Sequence, residues 1–288
     1  MNEKFPLEFN SQEEITQPGK ESMMNPKPVF TLPEYINSGR RLDGMTAIVT
    51  GGDSGIGRAV SIAYAREGAN VVIVYLNEDE DAQMTSNLIK EQGREALIIS
   101  GDIGDENFCK DVVKKTIEKF GTIDILVNNA GEQHVCNSIL DISNEQLERT
   151  FKTNIFGAFY IIKAALPHMK SGGRIINTTS ITAYVGNETL IDYSSTKGAL
   201  TSLTRSLAIN LATQGITVNA VAPGPIWTPL IPASFNKQKI QTFGKNTALK
   251  RAGQPVEVAE AYVFLASKNA SFITGETIHV NGGEIANT

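Results

Sequence analysis

A tyrosine and a lysine one helical turn apart are the residues of this sequence best placed to do chemistry. Tyr193 and Lys197 hold positions i and i+4 of a predicted helix, so their side chains share one face. A phenol has a pKa of about 10, and a neighbouring ammonium lowers that pKa because it favours the anion. Ser180 lies thirteen residues before Tyr193, directly after a predicted strand, where its hydroxyl could hold a substrate oxygen. These residues therefore predict proton transfer to or from a substrate hydroxyl near neutral pH.

A glycine-rich loop follows the first predicted strand and opens a helix. It reads Thr50-Gly51-Gly52-Asp53-Ser54-Gly55-Ile56-Gly57. Glycine permits a tight turn, lets the backbone approach a pyrophosphate and lets the helix pack close to the strand. The N-terminus of the helix adds free N–H groups and the positive end of its dipole. In this strand–loop–helix context the glycines predict a dinucleotide site.

The residues after the second predicted strand indicate which dinucleotide binds. An acid there would bond the ribose diol of NAD, whereas a basic residue would pair with the 2′-phosphate of NADP. The strand ends at Asn77, and Ser54 brings no positive charge to the glycine loop. The acids Glu78, Asp79, Glu80 and Asp81 follow, and they either repel a phosphate or form a solvated helix start, where acids favour the dipole. The sequence therefore favours NAD without excluding NADP.

Together these motifs resemble those of the short-chain dehydrogenase/reductase family, in the family's order, over about residues 41–288. Ser180, Tyr193 and Lys197 match its catalytic serine, tyrosine and lysine, and Asn154 matches the asparagine that completes its tetrad. The other matches are the cofactor loop at 50–57, Asp102 for the acid that contacts adenine, Asn128-Asn129-Ala130-Gly131 after the fourth strand, Pro223-Gly224 with Thr228 beside the nicotinamide, and Asn281-Gly282-Gly283. Asp53-Ser54 and Glu132-Gln133-His134 resemble a bacterial subgroup that has an N-terminal arm.

The resemblance implies an NAD(P)-dependent oxidoreductase that interconverts an alcohol and a carbonyl. Tyr193 would protonate the developing alkoxide and Ser180 would steady that oxygen. Lys197 would bond the nicotinamide ribose and depress the Tyr193 pKa, and Asn154 would hold a water that links Lys197 to solvent. The cofactor-binding residues implied are Gly51, Asp53, Ser54, Gly55, Ile56, Gly57, Asp102, Ile103, Asn129, Ala130, Gly131, Tyr193, Lys197, Pro223, Gly224, Ile226 and Thr228. The resemblance also implies a homo-oligomer, with a homotetramer as our prediction.

His134 and Trp227 are the two candidate substrate residues. His134 either contacts substrate at the mouth of the site or is a loop histidine without such a role. Trp227 belongs to the apolar segment after Pro223-Gly224, which in the resembling family is a mobile lid over the substrate. Loops on rigid scaffolds often carry specificity, so this segment predicts an apolar or mixed substrate, with plain lid packing as the alternative.

Two other functions are compatible with the same motifs. One is an epimerase or dehydratase that uses the same cofactor without consuming it. The other is a non-catalytic dinucleotide-binding scaffold, against which the intact tetrad argues because a sensor needs no proton relay. The fold alone does not distinguish these functions, since one fold hosts many chemistries.

Seven short apolar runs must form the frame that positions these residues. The runs are 46–49, 71–76, 96–100, 123–128, 174–178, 217–221 and 277–280. Most are apolar throughout, which is typical of strands covered on both faces. Helical patterns lie between them at 79–92, 106–120, 144–170, 193–214 and 255–267. The alternation predicts an α/β fold, a single Rossmann-type doubly wound parallel sheet of about seven strands with helices on both faces, over residues 41–288.

Residues 1–40 precede this domain and read as an extended arm. They contain five of the eleven prolines and no sustained helical or alternating pattern. The segment is either a disordered tail or an arm packed on its own domain or on a neighbouring subunit. Its larger apolar residues favour packing because they would need burial; they are Phe5, Leu7, Phe9, Phe30, Leu32 and Tyr35.

Composition excludes several other classes of protein. The 288 residues are 41% hydrophobic and 20% charged, enough for a large core, which excludes wholesale disorder. A net charge of −5 without a basic face argues against nucleic-acid binding. The two cysteines and three scattered histidines give no disulfide framework and no metal-site spacing. The sequence has no apolar run approaching the ~18 residues of a membrane span and no secretory signal, so we expect a cytoplasmic enzyme of a small-molecule alcohol or carbonyl.

Overall fold

A parallel sheet of seven strands forms the centre of the molecule. The computed structural model describes Pro6, Gln17 and residues 19–31 and 40–286. The strands are β1 (Thr46–Thr50), β2 (Asn70–Tyr75), β3 (Ala96–Ser100), β4 (Ile125–Asn128), β5 (Arg174–Thr178), β6 (Thr217–Pro223) and β7 (Thr277–Val280). Their order across the sheet is β3-β2-β1-β4-β5-β6-β7, and every neighbouring pair is parallel. The predicted Rossmann-type sheet is confirmed.

Helices cover both faces of the sheet. The α-helices are α1 (Gly55–Arg66), α2 (Asp79–Glu91), α3 (Glu106–Phe120), α4 (Asn144–Phe151), α5 (Gly157–Ala165), α6 (Thr182–Val185), α7 (Ile191–Leu211), α8 (Lys237–Gln241) and α9 (Pro255–Ala266). Side chains of α1, α2 and α9 form one apolar core with alternate strand residues such as Val49 and Ile73. Side chains of α3, α5 and α7 form a second core with Ile48 and Val72. Because successive strand residues face opposite layers, strands buried on both sides are apolar throughout.

The strand order places the site between β1 and β4. The chain proceeds outwards from β1 to β2 and β3, then returns to the other side of β1 and proceeds through β4 to β7. The loops after β1 and β4 therefore diverge, which opens a crevice at the carboxyl ends of the strands. The glycine loop follows β1, and the segment Asn129-Ala130-Gly131 follows β4.

The helix predicted over 144–170 is interrupted in the structure. Between α4 and α5 the backbone forms a π-helical turn at Lys152–Phe156, and the run ends in a 3₁₀ turn at Leu166–His168. Asn154 lies within the π turn and is buried. Single π turns inside α-helices often occur at functional sites, where they re-aim a side chain.

The part of the arm that the structure describes packs on its own domain. Phe30 is half-buried against the core shared by α1, α2 and α9, and its ring lies 5.2 Å from the Arg58 guanidinium carbon. The other apolar arm residues singled out in the sequence, Phe5, Leu7, Phe9, Leu32 and Tyr35, lie outside the described residues. Over residues 19–31 and 40–286, we find no helix with the length and apolar character needed to cross a membrane.

Candidate active site

A cleft of about 1020 Å³ opens at the carboxyl edge of the sheet. Every residue predicted to bind the cofactor lines it except Gly57. Ser180, Tyr193, Lys197 and His134 line the same cleft. The topology thus brings the glycine loop and the predicted catalytic residues, which are more than a hundred residues apart, to one cavity.

The glycine loop is folded tightly against the loop after β4. A Cβ on Gly57 would lie 1.8 Å from the Gly51 carbonyl oxygen, so only glycine fits there. The Asn129 side chain donates to the carbonyl oxygens of Thr50 and Gly51, each at 3.1 Å. Gly51 and Gly55 both have positive φ and line the cleft, where they present backbone without a side chain. Such a side-chain-free wall fits a pyrophosphate, and Gly57 contributes by shaping the loop rather than by facing the ligand.

The four acids after β2 have different surroundings, so neither sequence interpretation describes all of them. Glu78 is buried and lines the cleft. Asp81 is buried and pairs with Arg58 at 2.9 Å. Asp79 and Glu80 are exposed, although Asp79 accepts a hydrogen bond of 2.7 Å from the Tyr75 hydroxyl. Of these four acids, only Glu78 lines the cleft and can act directly on a ligand there.

Two carboxyl groups with raised pKa values line the cleft, one in the glycine loop and one after β2. Burial raises the pKa of Asp53 to about 6. Burial also raises the pKa of Glu78, and the negative charge of Asp53 adds to that rise. Both residues line the cleft. This end of the cleft is therefore negative at neutral pH and becomes less so on mild acidification.

Asp102 is held at the end of β3 by two donors. Its carboxylate accepts from the Gly104 N–H and from Arg149 Nη1, each at 2.8 Å. Burial alone would raise the Asp102 pKa, but these donors bring it below its usual value. Arg149 also binds Glu132, at 3.1 Å. The carboxylate is ionised and oriented, as an acceptor for an adenine amino group requires.

Ser180, Tyr193 and Lys197 form a buried cluster with one side on the cleft. Their exposed fractions are 7%, 9% and 3%. The Ser180 hydroxyl is close enough to the Tyr193 hydroxyl to lower the Tyr193 pKa. Lys197 Nζ lies 5.5 Å from the centroid of the Tyr193 ring and donates to the Thr178 carbonyl oxygen at 2.8 Å. The structure thus brings the three side chains together on the face that their spacing predicted.

The pKa of Tyr193 differs from the expectation drawn from the sequence. Burial raises it to about 12, and the hydrogen bond from Ser180 offsets only part of that rise. Burial lowers the pKa of Lys197 to about 8. The expected depression of the Tyr193 pKa by Lys197 is therefore wrong for the structure as it stands, because desolvation of the phenolate outweighs the attraction of the ammonium.

Asn154 does not line the cleft, and its amide acts on neighbouring backbone instead. Its Oδ1 accepts from the Glu132 N–H at 2.9 Å, and its Nδ2 donates to the Glu132 carbonyl oxygen at 2.9 Å and to Thr196 Oγ1 at 3.0 Å. A Cβ built on Gly131 would lie 3.2 Å from Asn154 Oδ1 and 3.4 Å from Lys197 Nζ. Asn154 thus ties the loop after β4 to α7 and brings its oxygen close to the Lys197 ammonium.

The two candidate substrate residues have different positions. His134 lines the cleft, and its Nε2 is buried without a hydrogen-bond partner among the described residues. Trp227 is fully buried, packs with Met24, Ile231 and Phe243 and does not line the cleft. Trp227 therefore does not contact a ligand in the cleft, because its side chain is buried inside residues 224–236 after β6, which we call the lid segment.

Sequence reasoning missed a buried ionic group behind the glycine loop. Glu21 of the arm is 2% exposed, accepts from the Gly55 N–H at 2.8 Å and forms an ion pair with Arg58, which is 1% exposed. Arg58 directly follows the glycine motif, and nothing in the sequence beside it explains why a cation is buried there. A positively charged residue in an otherwise buried helix was the signal that could have indicated this group. Its partner could not be found in the same way, because Glu21 lies 37 residues from Arg58.

Comparisons with known proteins agree with this geometry. A family model described as "Enoyl-(Acyl carrier protein) reductase" matches residues 51–284. "Uncharacterized oxidoreductase YhxC" of Bacillus subtilis (strain 168) is 59% identical over 96% of this chain and 96% of its own length. "NADPH-dependent aldehyde reductase 1, chloroplastic" of Arabidopsis thaliana is 50% identical over 96% of this chain and 98% of its own. A crystal structure of a short chain dehydrogenase from Burkholderia cenocepacia in complex with NADP has a TM-score of 0.80 and 34% identity, and covers 84% of this chain and 98% of its own.

Proposed function

The chain belongs to the short-chain dehydrogenase/reductase family, and we propose that it interconverts an alcohol and a carbonyl by hydride transfer, with Tyr193 as general acid and base. It is an oxidoreductase acting on CH–OH groups with NAD(P). One observation carries the assignment of Tyr193. The Ser180–Tyr193–Lys197 cluster lines the same cleft as the glycine loop.

The proposed chemistry needs two donors at the substrate oxygen. A bound nicotinamide cofactor supplies or accepts the hydride. In the reductive direction the Tyr193 hydroxyl donates its proton to the oxygen as negative charge develops there. The Ser180 hydroxyl, which lines the cleft beside Tyr193, holds the same oxygen. Donors placed in advance where charge appears stabilise the transition state without reorganisation.

Lys197 and Asn154 support the proton transfer from behind Tyr193. A positive charge on Lys197 stabilises the phenolate that remains after Tyr193 has given up its proton. The Asn154 side-chain oxygen and the Lys197 ammonium both lie beside the Gly131 Cα, at 3.2 Å and 3.4 Å from the position that a Cβ would take. A water held between them would return a proton from solvent to Tyr193. Asn154 is thus a positioning residue, since it acts through Lys197 and the Glu132 backbone.

We assign NAD as the preferred cofactor on the electrostatics of the adenosine end. The side chains that follow β2 and line the cleft are Leu76 and Glu78, and neither is basic. An extra phosphate there would meet Glu78 and Asp53, whereas a ribose diol could donate to either carboxylate. The Arabidopsis relative is named for NADPH and the Burkholderia neighbour binds NADP, so NADP is the direct competitor.

The substrate mouth supports a carbonyl compound of mixed polarity. Several apolar side chains beside Tyr193 and in the segment after β6 line the cleft; they are Leu190, Leu230, Ile231 and Phe235. Gln133 and His134 add polar groups to the same part. Aldehydes are the first class to test because the Arabidopsis relative is named an aldehyde reductase.

We also propose a homotetramer. Phe156, Phe159 and Ile209, on the π turn, α5 and α7, are 48%, 45% and 81% exposed. Apolar surface of this kind commonly marks a protein–protein interface. Light scattering tests the proposal, and a monomer at micromolar concentration contradicts it.

A paired fluorescence titration with NADH and NADPH, followed by an assay of aldehyde reduction, tests the proposed function. We expect tighter binding of NADH and oxidation of the cofactor only when aldehyde is present. Tighter binding of NADPH overturns the cofactor assignment but leaves the reaction class intact. Product isomers without net cofactor consumption would identify an epimerase or dehydratase. Cofactor binding without turnover of any alcohol or carbonyl would identify a scaffold.

A further inference from the structure

The N-terminal arm is anchored behind the glycine loop by a buried charge network. Glu21 accepts from the Gly55 N–H at 2.8 Å and pairs with Arg58. The Glu21 N–H donates to Asp81 Oδ2 at 3.0 Å, and Arg58 Nη2 binds Asp81 Oδ1 at 2.9 Å. Because both the backbone and the side chain of Glu21 are held, this point of the arm has a defined position.

A second set of contacts fixes the arm beside the lid segment. Met24 is buried in the cluster that contains Trp227, and Trp227 Nε1 donates to the Pro26 carbonyl oxygen at 2.8 Å. The Val29 N–H then donates to Gln254 Oε1 at 2.8 Å. The arm therefore follows the lid from the glycine loop to the start of α9.

Gly19 and Gln17, which precede Glu21 in the sequence, both lie at the substrate mouth. Gly19 is in close backbone contact with the lid, since a Cβ on it would lie 2.3 Å from the Pro229 carbonyl oxygen. The Gln17 amide bridges the two sides of the mouth. It donates to the Gln133 carbonyl oxygen, accepts from the Gln133 N–H at 3.4 Å and lies 3.5 Å from Ser234 Oγ of the lid segment.

This bridge makes the arm part of the active-site cavity. Gln17 and Gly19 line the same cleft as Ser180 and Tyr193. Gln133 belongs to the loop after β4 and Ser234 to the segment after β6, so Gln17 closes the gap between two loops of the sheet edge. A side chain whose amide contacts both loops narrows the opening of the cleft.

We propose that the arm forms a third wall of the substrate cleft and that Gln17 is a specificity-determining residue, which limits the size of the carbonyl substrate at the mouth. This inference rests on the proposed oxidoreductase function. No motif of the glycine loop or of the catalytic residues involves Gln17. Shortening its side chain would open the mouth without touching Ser180, Tyr193 or the glycine loop.

The test compares Gln17→Ala with wild type and with Met23→Ala, an exposed arm residue outside the cleft. Each protein is assayed with propanal and with 2-naphthaldehyde at saturating cofactor. We expect Gln17→Ala to raise the ratio of kcat/KM for 2-naphthaldehyde to that for propanal by about tenfold, the usual effect of a small change in pocket volume. Met23→Ala should keep the wild-type ratio. An unchanged ratio in Gln17→Ala overturns the proposal.

Hydrogen exchange at the Gln133 N–H gives a second result that needs no turnover. Gln17→Ala removes the acceptor of that N–H, so its exchange should accelerate, whereas Met23→Ala should leave it unchanged. Equal exchange in all three proteins would mean that Gln17 does not close the mouth, and the proposal would fail. If wild type reduces neither aldehyde, the choice of aldehydes as the substrate class fails on that result, and the exchange rates still decide whether the arm is seated in the cleft.

Discussion

At the scale of single residues, burial favours the neutral form of both ionisable side chains on the catalytic helix. It raises the pKa of Tyr193 to about 12 and lowers that of Lys197 to about 8. A phenol with so high a pKa keeps its proton at neutral pH, as a proton donor in carbonyl reduction must. Lys197 retains its charge below about pH 8, where it can stabilise the phenolate formed in the reaction. The protonation states of the pair are those that the proposed carbonyl reduction needs.

Replacing Tyr193 by phenylalanine should abolish turnover and leave cofactor affinity nearly intact. The change removes the proton donor but keeps the ring that packs against Lys197. General acid–base catalysis contributes about 10²–10⁴-fold, so we expect kcat to fall by at least that range. Steady-state kinetics and a fluorescence titration measure the two quantities. Tyr160→Phe, outside the cleft, is the matched control, and a wild-type rate in Tyr193→Phe would contradict the assigned role.

The buried ammonium of Lys197 should give a pH-dependent difference in stability between wild type and Lys197→Met. The folded-state pKa of Lys197, about 8, lies below its ordinary value of 10.5. Between those values the unfolded chain binds more protons than the folded chain, so the free energy of unfolding rises with pH. From pH 7.5 to 9.5 we expect wild type to gain about 2 kcal/mol relative to Lys197→Met. Urea denaturation at both pH values measures the gain.

The matched control for that comparison is Lys90→Met, at the exposed end of α2. For each variant we compare its free energy of unfolding with that of wild type and measure how this difference, the stability gap, changes with pH. A gap for Lys197→Met that stays constant from pH 7.5 to 9.5 would show that the ammonium is not desolvated as the structure describes.

The sequence predicted which of these residues meet but not their protonation. Spacing of i and i+4 on a helix is a local property, so it placed Tyr193 and Lys197 on one face. Their depth below the surface depends on β5 and on the loops that close over α7. No local pattern encodes that depth, which is why the direction of the Tyr193 shift was predicted wrongly.

At the scale of elements, the turn from β1 into α1 depends on close backbone contact. The Gly57 position faces the Gly51 carbonyl oxygen, and Asn129 from the loop after β4 holds that same oxygen. The three segments therefore form one rigid support for a pyrophosphate. Any side chain at Gly57 must displace backbone rather than a flexible side chain.

Gly57→Ala should weaken cofactor binding and lower stability together. A Cβ 1.8 Å from a carbonyl oxygen cannot be accommodated without moving the loop, and overpacking typically costs about 1–3 kcal/mol. We expect the dissociation constant of NADH to rise at least about tenfold, the equivalent of about 1.4 kcal/mol. Fluorescence titration and urea denaturation measure the two effects.

Gly198→Ala provides the control, since it lies in α7 with nothing within 4 Å of the added Cβ. A glycine-to-alanine change in a helix interior should raise stability by about 0.5–1 kcal/mol. If Gly57→Ala binds NADH as well as Gly198→Ala does, the close packing of the glycine loop is not what supports cofactor binding.

All seven strands were predictable from the sequence, most of them because a parallel strand covered on both faces is an apolar run. The interruption of the helix over 144–170 was not. The π turn at Lys152–Phe156 directs Asn154 to the Glu132 backbone and to Thr196. These contacts are tertiary, so the hydrophobic periodicity of the sequence gives no sign of the turn. Helices α6 and α8 were missed because four or five residues are too few to show a period.

At the scale of the whole molecule, the arm connects parts of the cleft that the sheet leaves separate. It contacts the glycine loop through Glu21, the lid through Gly19 and Met24, and the loop after β4 through Gln17. The apolar residues of the arm predicted that it would pack, and Phe30 does so. Its ion pair with Arg58 could not be predicted, because nothing local links residues 37 positions apart.

We propose that sheet, loops and arm act together to transfer a hydride between a nicotinamide and a carbonyl carbon. The most direct test supplies wild-type protein with cofactor deuterated at both C4 positions, as NADH or NADPH according to the tighter binder, and with an aldehyde. Mass spectrometry of the product should find one deuterium on the carbinol carbon for each molecule of cofactor oxidised. A product alcohol without deuterium, or a converted substrate with all deuterium still in the cofactor, would contradict hydride transfer to the carbonyl.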